Sequence, residues 1–186
     1  MSIPSNFDIY NPLHRIQNLY LIRTKEVGLK KLKFNPAQLR IIEQIAPLLE
    51  QKKPIRRLDI KARQIGASTI FGLLYLDDTI FHANKISCIL AHQRESLSYL
   101  WEIIRFAHAS MPDSLRPKLT TDSNSQLTFE NNSKIMVSLK VQSTALHNLH
   151  ISEYAYCDEN EIAVTLAACS PDANITLEST ANGMNH

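Results

Sequence analysis

The sequence predicts an α/β domain built on a mostly parallel β-sheet. Three observations predict it. Apolar runs of strand length alternate with amphipathic segments of helix length. No internal repeat and no apolar run of membrane-spanning length interrupts that alternation. A chain of 186 residues, 44% hydrophobic and 20% charged, has ordinary globular composition and the length for one substantial core, with two domains cramped.

Taken in order, residues 11–27 (NPLHRIQNLYLIRTKEV) suit a short amphipathic helix or a turn into a strand, with Ile16, Leu19, Tyr20 and Ile22 as the apolar positions. Residues 34–51 are clearer. Asn35-Pro36 starts a helix with proline at its first position, and Leu39, Ile42, Ile45, Leu48 and Leu49 form one apolar stripe. Residues 55–62 (IRRLDIKA) read as a strand and 68–83 as the helix after it. ISCILA (86–91) has the continuity of a buried strand, and 95–111 is the next helix, stopped by Pro112. Residues 125–139 form a hairpin around Asn131-Asn132. NLHIS (148–152) is a strand, an alanine-rich helical stretch follows, and NITLEST (174–180) is a further strand.

Cys88, Cys157 and Cys169 are odd in number and contain no CxxC pair, which argues against a disulfide framework or zinc knuckle and for a reducing, cytoplasmic setting. The N-terminus lacks the continuous apolar stretch of a secretory signal. The formal charge of +2 conceals an asymmetry: residues 1–65 carry 13 Lys/Arg against 5 Asp/Glu, and 66–186 carry 7 against 13. The basic part suits phosphates or DNA, or simply a solvated face of basic pairs such as Lys30-Lys31.

KARQIGAST (61–69) joins the strand at 55–62 to the helix at 68–83, the place of a phosphate-binding loop. Such a loop aims successive N–H groups at anionic oxygens. A glycine allows close approach, a lysine neutralises charge, and a hydroxyl ligates Mg²⁺. Gly66 and Ser68 fit two of those roles, but Ala67 stands where the lysine is expected, and Lys61 and Arg63 are left to supply positive charge. By itself the stretch is a weak match and reads first as a plain strand-to-helix turn. Glu153 follows the strand at 148–152, where a carboxylate can orient and polarise an attacking water. Its alternative is a helix-terminal carboxylate with Ser152 as the cap. Ser179, Thr180 and Asn182 end the last strand, positioned to sense a terminal phosphate or to form a polar turn closed by glycine. His147 and His150 lack a partner at metal spacing. Asp158, Glu159 and Glu161 read as a helix start, and Trp101 and Phe106 as core.

Together, ARQIGAST, LHISE and STANG resemble the large subunit of viral terminase, the motor that packages phage DNA. The resemblance covers most of the chain. It implies a three-layer P-loop NTPase core of the RecA-like (ASCE) type over residues 34–186, preceded by an N-terminal segment at 1–33. It also implies ATP and Mg²⁺ as cofactors. Arg63, Gln64, Gly66, Ala67, Ser68 and Thr69 are similar to the family's variant Walker A loop, with Lys61 and Arg63 assisting catalysis. Phe34 and Gln38 match its adenine-recognising Q motif. Ser152 and Glu153 match its Walker B form, reaching the metal through water while Ser68 binds it directly; Ser179, Thr180 and Asn182 match its coupling motif. Implied partners are double-stranded DNA, a portal protein and a small terminase subunit, with ring assembly in the host cytoplasm.

Two departures accompany the match: Ala67 removes the usual lysine, and Gln142 stands where the family's arginine is expected. Ser152, where phosphoryl-transfer ATPases usually carry a metal-side Asp, belongs to the resemblance. The lid that follows the coupling motif and the family's nuclease domain are absent from the sequence. The rival expectation is therefore a truncated or decayed prophage fragment that folds and binds nucleotide without motor or nuclease activity.

Overall fold

The computed structural model describes residues 4–23, 28–140 and 145–181. Its elements run α1 (Pro12–Leu19), β1 (Leu21–Arg23), β2 (Leu29–Lys31), α2 (Pro36–Glu50), β3 (Arg56–Ile60), α3 (Ala67–Phe81), β4 (Ile86–Ala91) and α4 (Arg94–Ala109). The hairpin strands β5 (Leu119–Asp122), β6 (Gln126–Phe129) and β7 (Lys134–Ser138) follow, then β8 (Leu146–Ser152), α5 (Glu159–Ala167) and β9 (Cys169–Ser179). The helix starts have chemical causes. Asn11 caps α1 by accepting from the Leu13 and His14 N–H groups, and Asn35 and Gln38 form a reciprocal capping box on α2. Proline at the first position of each helix removes an N–H that would lack a partner there.

Among the described residues, seven strands form one sheet in the order β3-β9-β8-β4-β7-β6-β5. The five from β3 to β7 are parallel, and β6 and β5 are added antiparallel at one edge. The run ISCILA explains the middle of the sheet. Along β4, Ile89 and Ala91 face one core with α3 and α4, while Cys88 and Leu90 face a second core under Ile162 of α5. Helices on both faces of a parallel sheet make three layers. Helix α3 is apolar on nearly all sides and lies between the sheet and α1, α2 and α4, so it is the core's centre.

Local expectations shift in three places. Leu39, expected on the α2 stripe, is 45% exposed; the buried face runs through Gln38, Ile41, Ile42 and Ile45 instead. Leu58 and Ile60 are exposed because β3 is an edge strand. Strand β9 begins at Cys169, earlier than its apolar run suggests: Cys169 pairs with Leu146, the register then shifts, and pairing with β8 resumes at Asn174, whose side chain accepts from the Ile55 N–H and donates to Asn148. No helix among the described residues is long and apolar enough to cross a membrane.

Candidate active site

The topology brings the three quoted motifs to one place. Strands β3, β9 and β8 are neighbours and parallel, so the loop after β3, the end of β9 and the residue after β8 all emerge at the same carboxyl-terminal edge. Ligands of open α/β sheets bind at that edge. A cleft of about 430 Å³ opens there, with Lys61, Arg63, Gln64, Glu153 and Thr180 on its walls.

The 61–69 loop turns through two left-handed residues, Gln64 (φ 62°) and Gly66 (φ 80°). A Cβ on Gly66 would lie 2.5 Å from the Gln38 Nε2, so both the angle and the space call for glycine. Helix α3 begins directly after it at Ala67, and no side chain caps its first N–H groups. Uncapped N–H groups at the positive end of a 15-residue helix form an anion-binding arrangement. The capping-box residues of α2 brace the loop from behind: Asn35 Nδ2 donates to the Ile65 carbonyl at 3.0 Å and Gln38 Nε2 to the Gly66 carbonyl at 3.0 Å. Phe34, half-buried, packs against the main core beside them. Gln38 is buried, with its side-chain oxygen accepting from the Asn35 N–H.

Glu153 has positive φ (55°) and begins a short 3₁₀ turn, Tyr154–Tyr156. Its side chain caps no helix, and Ser152 does not cap one either; the Ser152 hydroxyl donates to Glu178 at 2.9 Å. One Glu153 carboxylate oxygen lies 3.3 Å from the Lys61 ammonium. The other accepts from the Thr180 N–H at 3.2 Å and the Thr180 hydroxyl at 3.1 Å. Burial raises the pKa of this carboxyl, but the Thr180 donors and Lys61 outweigh it and hold it below the usual carboxylate value. Glu153 is therefore ionised at neutral pH and acts as an acceptor. Ser179 lies one residue away from that contact: its hydroxyl donates to the Thr180 carbonyl and accepts from the Ala155 N–H. Asn182 and Gln142 lie outside the described residues.

The remaining named residues divide between two sides of the loop. Arg63 and Gln64 are exposed on the cleft side, whereas Thr69 lines a smaller cavity of about 110 Å³ with Arg23, Tyr99 and Phe106. Phe106, expected as core, is half-buried there beneath the Arg23 guanidinium, 4.8 Å from its ring centre. Asp158 caps α5, as a helix start should.

Two groups escape sequence reasoning. His92, Gln93 and Ser96 line the cleft from the β4–α4 junction, and His92 packs on Tyr156 with ring centres 5.4 Å apart. Their signal is a polar His-Gln pair immediately after a buried, mostly apolar strand. Glu178 is the other: a charged residue inside the apolar run of β9, fully buried, in contact with Ser68, Ser152 and Lys61.

The donor set fits a hard divalent cation held together with phosphate oxygens. The hydroxyls of Ser68 and Ser152 and the carboxylates of Glu153 and Glu178 are all oxygen donors, as Mg²⁺ requires. Among the described residues, no cluster of three or more His, Cys, Asp or Glu could bind a metal unaided. Such an ion would thus be completed by water and ligand oxygens, its usual habit at phosphate sites.

This edge-site α/β architecture is the fold of phage large-terminase ATPase domains. The chain superimposes on the crystal structure of the HK97 bacteriophage large terminase with a TM-score of 0.71 at 14% identity, covering 91% of this chain and 37% of that one. It is similar also to the large terminase from a thermophilic bacteriophage in complex with ATP-gamma-S (TM-score 0.52, 14% identity, 79% of this chain and 38% of that one). A third match is the Thermus phage P74-26 large terminase ATPase domain (TM-score 0.51, 13% identity, 83% and 72%). The chain thus spans well under half the length of the first two. No protein-family model and no curated protein sequence matches it.

Proposed function

We propose that this chain is the ATP-binding and ATP-hydrolysing motor domain of a large-terminase-type machine that translocates double-stranded DNA into a procapsid. The observation that carries the reading is the convergence of an anion-cradling loop, a clamped ionised glutamate and a strand-end threonine on one sheet edge. That fold is shared with terminase ATPase domains, one of them determined with ATP-gamma-S.

The residues divide the work by position. Gly66 to Thr69 and the start of α3 receive phosphate oxygens, and Arg63 and Lys61 provide the charge that Ala67 lacks. Lys61 makes a pair of ion contacts, to Glu153 at 3.3 Å and Glu178 at 3.1 Å, so an incoming phosphate competes with two carboxylates for it. Mg²⁺, when bound with the triphosphate, supplies charge neutralisation on its oxygens. Glu153 orients the attacking water. Thr180, which holds that carboxylate through two hydrogen bonds, is the link by which the hydrolysis state reaches the coupling strand. Phe34 and Gln38 flank the same loop and are assigned to the adenine. DNA, portal protein, small terminase subunit and a ring of further copies complete the proposed motor.

Glu153→Gln keeps the shape and loses the charge. Nucleotide affinity, measured by calorimetry, should stay within a few-fold of wild type, while steady-state hydrolysis drops by a factor on the order of 10² to 10⁴. Undiminished hydrolysis by the purified variant would sink the assignment of Glu153.

A further inference from the structure

Strand β9 lies between β3 and β8, so whatever it carries at its end stands between the phosphate loop and the water-orienting glutamate. It carries Glu178, paired in register with Asp59 on one side and Ser152 on the other. Its carboxylate is completely buried. A buried carboxylate is costly unless every oxygen is met, and a well-packed apolar residue would serve a purely structural purpose better. Its strand neighbours Ile175 and Leu177 are apolar, which makes the charge at 178 the exception.

The partners say what the charge is for. Oε1 accepts from the hydroxyl of Ser68 and, at 2.9 Å, from that of Ser152. Oε2 lies 3.1 Å from the Lys61 ammonium. His150, also fully buried, approaches Oε1 to 3.7 Å. Ser68 is the hydroxyl at the start of α3, and by donating its proton to Glu178 it keeps lone pairs free for a cation. Ser152, which ends β8 just before Glu153, is a neutral hydroxyl and cannot balance a cation's charge; the buried carboxylate that meets both hydroxyls stands on the neighbouring strand, β9.

We propose that Glu178 is the metal-side carboxylate of this site: it holds the hydroxyl and water ligands of the divalent cation that accompanies a bound nucleoside triphosphate, from β9 rather than from β8. The inference rests on the nucleotide-site reading given above. It carries a sign that a structural role does not. Without a divalent cation, a buried negative charge beside a triphosphate repels it; with the cation, the same charge attracts the complex.

The test is calorimetric titration of wild type and Glu178→Gln with a non-hydrolysable ATP analogue, once with Mg²⁺ and once with EDTA. Wild type should bind at least about tenfold more tightly with Mg²⁺. Glu178→Gln should bind the metal-free analogue as well as or better than wild type and lose most of the Mg²⁺ enhancement. The double variant Ser152→Asp, Glu178→Gln, which places the carboxylate on β8 instead, should recover it. Equal Mg²⁺ enhancement in wild type and Glu178→Gln overturns the proposal, as does parallel weakening under both conditions in a variant that melts like wild type. Should Glu178→Gln not fold, Glu178→Asp carries the test, with a reduced Mg²⁺ enhancement expected and an unchanged one fatal. Absence of analogue binding by wild type in either buffer would instead remove the nucleotide-site reading, and this proposal with it.

Discussion

Gly66 meets two demands at once. Its φ of 80° lies where a side chain is strained, and the space a Cβ would occupy is already filled by the Gln38 amide that supports the loop's carbonyl. Replacement by alanine must push Gln38 away, break its bond to the Gly66 carbonyl, or flatten the turn. Each outcome disturbs the N–H groups at the start of α3. Gly66→Ala is expected to lose about 1–2 kcal/mol of stability by denaturant titration, from the left-handed backbone alone. Nucleotide affinity should fall at least about tenfold by calorimetry. Retention of wild-type affinity would show that this loop conformation is not the one that binds phosphate. Of the residues around it, Gly66, Ser68 and Glu153 are legible in the sequence because each stands at a fixed offset from a strand end. Glu178 is not, although it lies within the NITLEST run, because its role depends on β9 inserting between β3 and β8. That adjacency is a fact of topology and has no local signature.

At the scale of elements, α1 is fastened to the central helix by one buried ion pair. Arg15 donates through Nε and Nη2 to Asp77, the closest contact being 2.6 Å, and its Nη1 donates to the Ile9 carbonyl at 2.7 Å. Tyr20 donates its hydroxyl to the same carboxylate at 2.9 Å. Burial drives the Asp77 carboxyl up, to about 6, against the pull of Arg15 and Tyr20. Removing one partner leaves an uncompensated charge or donor set in the core, whereas removing both leaves only the neutral Tyr20 hydroxyl without its acceptor. Arg15→Met should cost about 3–5 kcal/mol by urea denaturation. Arg15→Met with Asp77→Leu should regain most of that loss, and a double variant no better than the single would refute the explanation. The apolar positions of residues 11–27 announce an amphipathic helix or turn, but the pair itself joins residues 62 positions apart and is invisible to periodicity. The same limit explains Leu39 and Leu58. Apolar spacing identifies that a helix or strand exists, while exposure depends on what packs above it, and among the described strands none pairs with the outer side of β3.

For the molecule as a whole, the α/β class and most element positions follow from alternating periodicities, since strands buried on both faces are continuous apolar runs and few other structures produce them. Sheet order does not follow, because several right-handed crossovers satisfy the same string of elements. The order has a global consequence through His150. It sits at the middle of the sheet on β8, hydrogen-bonded to the Thr176 hydroxyl at 2.9 Å, and burial pushes its pKa down to about 3. The unfolded chain binds a proton there near pH 6.5 and the folded chain does not, so the unfolded state holds the extra proton throughout the interval between those values. Stability contributed at this position is accordingly full above about pH 6.5 and declines as pH falls toward about 3, by up to about 1.4 kcal/mol per pH unit. Other groups also contribute to the pH dependence: burial raises Asp77 to about 6 and lowers His108 and His147 from the usual histidine value. They are common to wild type and to His150→Gln, whose amide can still reach Thr176, so they cancel in the difference between the two proteins. Unfolding free energies measured by denaturant at about pH 7, 6, 5.5 and 5 should therefore converge or cross, with His150→Gln gaining on wild type at each step down. A difference that stays flat with pH would mean that the His150 pKa is the same in the folded and unfolded chains, and wild type gaining on the variant between pH 7 and 6 would mean that His150 is protonated in the folded protein and pairs with Glu178.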